Sequence, residues 1–351
     1  MKQPLHVVRS VFSSAAGALV LGVALAACSG GGSTLPQAPQ NTTPTVPDST
    51  SNLVNANVTA ADTAAAVTIS NLHVHLDRIR AGGITPKTTS YPFDVTNHGN
   101  HTMPSATQHF IYLSNGAVTS PASVWGNPKT FMTDANASMS ANTYVHILDQ
   151  YVATISNLRY PSFATDVAAH ITLLLDPEGG VMLSQSDLMG VLHASLVALG
   201  STNPGYTHEF HIFLPPGMDT CFDYTTQCYS PDYPPTFAFC AYHGSVTFSG
   251  TGAGSGHVVF SVEPYQGTGA QGICYGGTTT LVNATASTLS HEFFESVSDA
   301  DPGLGWYNGF TGNEIGDECV PSAVPNAALT LNGHSYIVQK EWSNTVHGCS
   351  P

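Results

Sequence analysis

Basic residues are scarce in this sequence. Lysine and arginine number 8 against 23 aspartates and glutamates, a formal net charge of −15 at pH 7. A polyanion is repelled by such a chain, which excludes nucleic acid as a partner and argues against binding to anionic surfaces. Close CxxC pairs are absent from the seven cysteines, which argues against a thiolate zinc site. The nucleophile turn GxSxG is also missing. Its nearest approximation, Gly254-Ser255-Gly256, has glycines adjacent to the serine and leads into a strand at His257, so a serine hydrolase of that type is set aside. No internal repeat occurs, and only one apolar run approaches the length of a membrane span.

That run extends from Val11 to Ala27, follows Lys2 and Arg9, and ends in Leu25-Ala26-Ala27-Cys28. It is short for a membrane span and has the length of a signal-peptide core. Residues 1–27 are therefore expected to be a lipoprotein signal peptide, with Cys28 the acylated first residue of the mature chain. The alternative is a plain secretory signal with an incidental cysteine. Acyl chains tether a protein without spanning the bilayer, so the expected location is the bacterial cell envelope, lipid-anchored, or the extracellular space. Removal of the leader leaves six basic residues against the 23 acids. Residues 28–60, rich in Gly, Ser, Thr, Pro, Asn and Gln, read as a flexible linker with too little apolar surface to offset ordering entropy. Residues 61–351 are expected to form one α/β domain.

With Cys28 accounted for, six cysteines remain, all in the C-terminal half. In an oxidising compartment an even set reads as three disulfides. Fifteen pairings are open, of which Cys221 with Cys228, Cys240 with Cys274, and Cys319 with Cys349 is preferred.

Strands are predicted over Val67–Leu76, Gln108–Leu113, Ala169–Leu175, Thr207–Leu214, Thr236–Tyr242 and His257–Val262, where β-branched and aromatic residues cluster. Helices are predicted over Ser186–Leu199, which has a Ser-Asp start and a Gly200 stop, and over Leu281–Val297. A third helix over 142–157 follows from the spacing of Tyr144, Ile147, Leu148 and Tyr151. Leu329–Trp342 reads as a hairpin turning at Asn332-Gly333. The resulting plan is a mixed sheet with a backing helix and an active-site helix on one face, a layout shared with zincin-type peptidases.

The chemistry concentrates in the second long helix. His291 and Glu295 lie four apart, on one helical face, so both can reach a single metal ion. Glu292 can reach a water held by that ion. The HExxH zinc-peptidase helix has the same geometry, with Glu295 here standing in the second ligand place. Carboxylate oxygen is an accepted zinc donor. Glu314 is the expected third ligand and Asp317 the residue that orients His291. His243, in Cys240-Ala241-Tyr242-His243-Gly244, is the rival ligand. Phe293 and Phe294 mark the helix as buried, where carboxylates need partners or a metal. Zinc is the expected ion, with another divalent metal as the alternative. The remaining histidines have blander readings: His73 and His75 as polar positions on a half-exposed strand, His208 and His211 near a strand start, and His193 in a helix core.

These residues resemble a known family. His291-Glu292-x-x-Glu295, Asp301-Pro302, Trp306-Tyr307 and Glu314-Ile315-Gly316-Asp317-x-Cys319 look like the EXORDIUM (phosphate-induced) family of secreted proteins. Cys240-x-x-His243-Gly244 and the closing Val338-Gln339, Trp342-Ser343-Asn344 and Cys349 fit the same pattern. The resemblance covers about residues 207–349 and implies an exported, disulfide-bonded, metal-binding protein without a settled activity.

Two functions follow. In the first, His291, Glu295 and Glu314 hold zinc, Glu292 takes a proton from its water, and the substrate is a peptide or cell-surface polymer. In the second, the chain is a non-catalytic surface module that binds glycan or protein, and its metal site is structural or silent.

Overall fold

Seven stretches of alternating or wholly apolar residues pair into one mixed sheet. The computed structural model describes residues 45–46, 67–78, 93–99, 101–114, 124–138, 144–152, 167–170, 174–175 and 181–351, apart from 224, 268, 269, 271–273, 275–279, 321 and 323. The expected leader, Cys28 and all of the expected linker except Thr45–Val46 lie outside the described residues. The sheet strands in chain order are β1 (Thr45–Val46), β2 (Val67–Arg78), β3 (Thr107–Ser114), β4 (Val167–His170), β5 (Gly205–Phe213), β6 (Phe239–Phe248) and β7 (Gly256–Glu263). Across the sheet they run β1-β2-β6-β7-β5-β3-β4. Pairs from β1 to β7 are antiparallel, while β7, β5, β3 and β4 run parallel.

Among the described residues three α-helices accompany the sheet: α1 (Pro128–Ala137), α2 (Gln185–Ala198) and α3 (Leu281–Ser298). The predicted plan has α2 and α3 on one face; the structure has them on opposite faces. Phe110 and Tyr112 of β3 pack in the core that holds Leu289, Phe293 and Phe294 of α3. Ile111 and Leu113, which point the other way, pack in the core that holds Leu188, Leu192 and Leu196 of α2. Successive strand residues face opposite sides, so a strand apolar at every position needs cover on both. The two helices supply it from opposite faces.

Other differences are local. The 142–157 segment forms only a 3₁₀ turn, Val145–Gln150, among its described residues. Val167–His170 and Leu174–Leu175 belong to different sheets, the second to a four-stranded sheet with Val181–Ser184, Met218–Asp223 and Gln227–Tyr229. Helix α1 is absent from the sequence reading; Pro128 opens it after a left-handed Asn127. The hairpin turns at Asn332-Gly333, both at positive φ, but its strands are Asn326–Leu331 and His334–Gln339. Trp342 belongs to a further pair, Glu341–Ser343 with Gly348–Ser350. Disulfides join Cys221 to Cys228, Cys240 to Cys274 and Cys319 to Cys349, the pairs preferred above. No helix among the described residues is long and apolar enough to cross a membrane.

The hairpin is tied to α1. Buried Asp134 accepts hydrogen bonds from Asn332 Nδ2 at 2.9 Å and Tyr336 OH at 2.6 Å, and His334 Nδ1 lies 2.7 Å away. Burial works to raise the Asp134 pKa, but the bonds from Tyr336, Asn332 and His334 more than offset it and hold the carboxyl below its ordinary range. A carboxyl shifted down stabilises the fold while ionised, and that contribution is lost as pH falls through the lowered pKa. Asp134→Ala is expected to lower the unfolding free energy by about 2 kcal/mol at neutral pH. Urea titrations at neutral and acid pH check this, because the gap between wild type and variant should close on acidification.

Candidate metal centre

Helix α3 carries its polar residues into the interior on purpose-built supports. Thr280 caps it, its side chain accepting the Asn283 N–H at 3.3 Å, and every residue from Ala284 to Ser298 is buried. It ends at Asp299, whose carboxylate accepts the N–H groups of Gly303 at 2.9 Å and Gly305 at 2.6 Å. Beneath α3 the sheet presents a polar rung. His75 of β2 pairs with His243 of β6, His243 with Ser261 of β7, and Ser261 with His211 of β5. These residues are side by side because the register places them so; a slip of one residue would turn each to the other face.

Glu295 is the hub. Its Oε1 accepts the backbone N–H groups of Gly316 and Asp317, each at 3.1 Å, which fixes the carboxylate and aims Oε2 inward. Oε2 lies 3.1 Å from His291 Nε2, 3.6 Å from His243 Nδ1 and 4.0 Å from His75 Nε2. Glu314 reaches two histidines, with Oε1 3.0 Å from His75 Nδ1 and Oε2 3.4 Å from His243 Nε2. Glu292 Oε2 lies 3.2 Å from His243 Nδ1, and Asp77 Oδ1 lies 3.8 Å from His291 Nε2. Asp317 Oδ2 lies 2.6 Å from His75 Nε2. Gly316 is the close-approach residue of the EIGD segment: a Cβ there would sit 2.5 Å from His291 Nδ1 and 2.9 Å from Glu295 Oε1.

His243, His291, Glu292, Glu295 and Glu314 are all 0 % exposed. Burial raises the pKa of Glu292 and of Glu314 well above the carboxylate range, and that of Asp77 to about 7. Burial opposes protonation of His291, yet Asp77 and Glu295 outweigh it and raise its pKa well above the ordinary value. His243 moves the other way, held well below its ordinary value by burial and then by His75 and His291. Six side-chain atoms of this cluster are buried without a hydrogen-bond partner: His243 Nε2, His291 Nε2, Glu292 Oε1, Glu295 Oε2 and both oxygens of Glu314. Buried polar atoms rarely stay unsatisfied, and a divalent cation satisfies several at once. Three groups of three donors have their ligand atoms within 4.8 Å of one another: His243, Glu295 and Glu314; Asp77, His291 and Glu292; His75, Glu295 and Asp317.

The structure thus gathers every metal-site residue named from the sequence, in a different arrangement. Glu295 and Glu314 converge with His243, the rival ligand, while His291 groups with Glu292 and Asp77. Asp317 bonds His75, and the side chain against His291 Nδ1 is Gln339, whose Nε2 lies 2.7 Å from it and donates to Gly316 O at 2.9 Å. His75 and Asp77 are additions. The half-exposed reading of His75 fails because α3 and the EIGD segment cover its strand face, leaving it 3 % exposed. Its signal was present in His73-x-His75-x-Asp77, where three polar residues alternate along one strand face. Glu341 is also buried, with neither carboxylate oxygen hydrogen-bonded. In comparisons with known proteins, the chain matches no family model, no curated protein and no solved structure.

Proposed function

We propose that this chain is an exported, zinc-dependent hydrolase of the peptidase type, built on a zincin-like HExxE helix. One observation carries the reading: six ligating atoms that make no hydrogen bond gather around Glu295 in a fully buried cluster. In the simplest form His243, Glu295 and Glu314 hold the ion. Two carboxylates balance a divalent charge, and one imidazole with two carboxylates is a donor set that zinc accepts. Once bound, such an ion polarises a carbonyl and acidifies water. Glu292, with Oε1 unpartnered and Oε2 beside His243, is the proton acceptor. His75 braces Glu314 from the sheet and is itself held by Asp317 of the covering turn, as supporting hydrogen bonds do around metal ligands. Export, a lipid anchor at Cys28, the EXORDIUM-like spacing and a substrate among peptides or cell-surface polymers belong to the same proposal.

Complete burial of the donors favours a second reading, in which the ion is structural and the protein is a non-catalytic surface module that binds glycan or protein. Elemental analysis of the purified mature protein, with peptidase assays of wild type and Glu292→Gln, separates the two. The hydrolase reading expects bound zinc, a chelator-sensitive activity, and a loss of about 10²-fold or more in the variant. Zinc without activity selects the structural reading; activity unchanged in Glu292→Gln removes Glu292 as the proton acceptor and overturns the proposed mechanism. Absence of metal overturns both.

A further inference from the structure

We infer that the centre takes two divalent cations, bridged by Glu292 and Glu295. The inference rests on the metal-binding part of the reading above and goes beyond its single ion. The donors fall into two sets. His243 and Glu314 form one, with Glu314 Oε2 3.4 Å from His243 Nε2, and His291 and Asp77 form the other, 3.8 Å apart. Glu292 and Glu295, one turn apart on α3, contact both sets. Glu295 Oε2 is 3.1 Å from His291 Nε2 and 3.6 Å from His243 Nδ1, the ring nitrogen opposite the one that Glu314 faces. Glu292 has Oε2 at His243 and belongs, with Asp77 and His291, to the second donor group. Its Oε1 is unpartnered, as are Nε2 of His291 and Nε2 of His243.

A single ion in the His243 set leaves His291 Nε2 and Glu292 Oε1 buried and unsatisfied. It also leaves two carboxylates, Asp77 and Glu292, beside the single imidazole of His291. Two divalent ions balance the four carboxylates Asp77, Glu292, Glu295 and Glu314, while His75 and Asp317 pair with each other. Two histidines with four carboxylates, two of them bridging, is a composition that binds ion pairs in helical carboxylate proteins. Ions sharing a carboxylate oxygen stand about 3.5–4 Å apart. With His291 Nε2 on an ion, Nδ1 carries the proton and needs an acceptor, so the Gln339 amide must turn its oxygen to it and give up its hydrogen bond to Gly316 O. A bridging Glu292 is a ligand, so in the two-ion form it is no longer the free proton acceptor of the single-ion form.

The test is metal stoichiometry on the full mature protein, stripped with EDTA, reloaded with Zn²⁺ and freed of excess by gel filtration. Two zinc ions per chain are expected, falling to one in Asp77→Asn and in Glu292→Gln. Loading with Co²⁺ requires no variant: the two ions should be magnetically coupled, attenuating the electron paramagnetic resonance signal at the second equivalent. One ion per chain at saturation overturns the inference and leaves the single-ion reading standing. Two uncoupled ions, or a Glu292→Gln protein that keeps both, also overturn it. No bound ion overturns the inference and the single-ion reading together.

Discussion

Stripping metal from the loaded protein is expected to lower its unfolding free energy by about 4 kcal/mol or more. The magnitude follows from mass action: a ligand held only by the native state contributes about 4 kcal/mol at a thousandfold excess over its dissociation constant. The cluster explains why so much rests on the ion. Burial drives Glu292 and Glu314 toward the protonated form, and His291 is driven toward the charged form by Asp77 and Glu295 despite burial. Without a cation these groups must exchange protons among themselves and still leave donor atoms unpaired. In a domain of this size each kcal/mol moves the midpoint by about 2–4 °C, so a fall of roughly 10 °C is expected on chelation. Melting curves with zinc in excess and with EDTA measure it. Coincident curves would mean that the carboxylates and histidines satisfy one another, and the metal proposals would fall.

The site was more legible in the sequence than its geometry. His291, Glu292 and Glu295 could be placed together because helical spacing is local, and the EIGD segment because its acids lie a short loop away. Their grouping could not be read, because it depends on strand register. His75 and His243 meet only because β2 and β6 pair antiparallel in one of many registers, and nothing near either residue specifies which. Strand existence was likewise legible in β3, where Phe110 to Leu113 run apolar without a break. That same continuity concealed which face each helix covers, since Ile111 and Leu113 are as apolar as Phe110 and Tyr112. Helix α1 went unseen because Pro-Lys-Thr-Phe-Met-Thr-Asp-Ala-Asn-Ala has no sustained apolar face. It exists through tertiary contacts, Phe131 against Tyr336 among them.

Removing the Cys319–Cys349 disulfide is expected to cost stability and metal affinity together. Cys319 ends the 3₁₀ turn Asp317–Cys319, directly after the segment that carries Glu314 and Gly316. Cys349 lies opposite Trp342 in the C-terminal strand pair, and Trp342 donates its backbone N–H to Ile315 O at 2.7 Å. The bridge and that hydrogen bond hold the same loop from both ends. They therefore hold Glu314, as well as the two N–H groups that fix Glu295. Closing a loop with a sequence separation of 30 restricts the unfolded chain by about 3.6 kcal/mol at 25 °C. The Cys221–Cys228 bridge, with a separation of 7, should contribute only about 2.4 kcal/mol on the same basis. It lies in the four-stranded sheet and touches none of the donors. The double variant Cys319→Ala/Cys349→Ala should therefore lose stability by about 3.6 kcal/mol and bind zinc roughly 10- to 100-fold more weakly, as when supports behind metal ligands are removed. Cys221→Ala/Cys228→Ala should lose stability with unchanged zinc affinity. Denaturant titration and competition with a chromogenic chelator read the two quantities separately. Equal affinity in both double variants would show that Glu314 keeps its place without the bridge, its position then being set by Glu295 and the strand histidines alone.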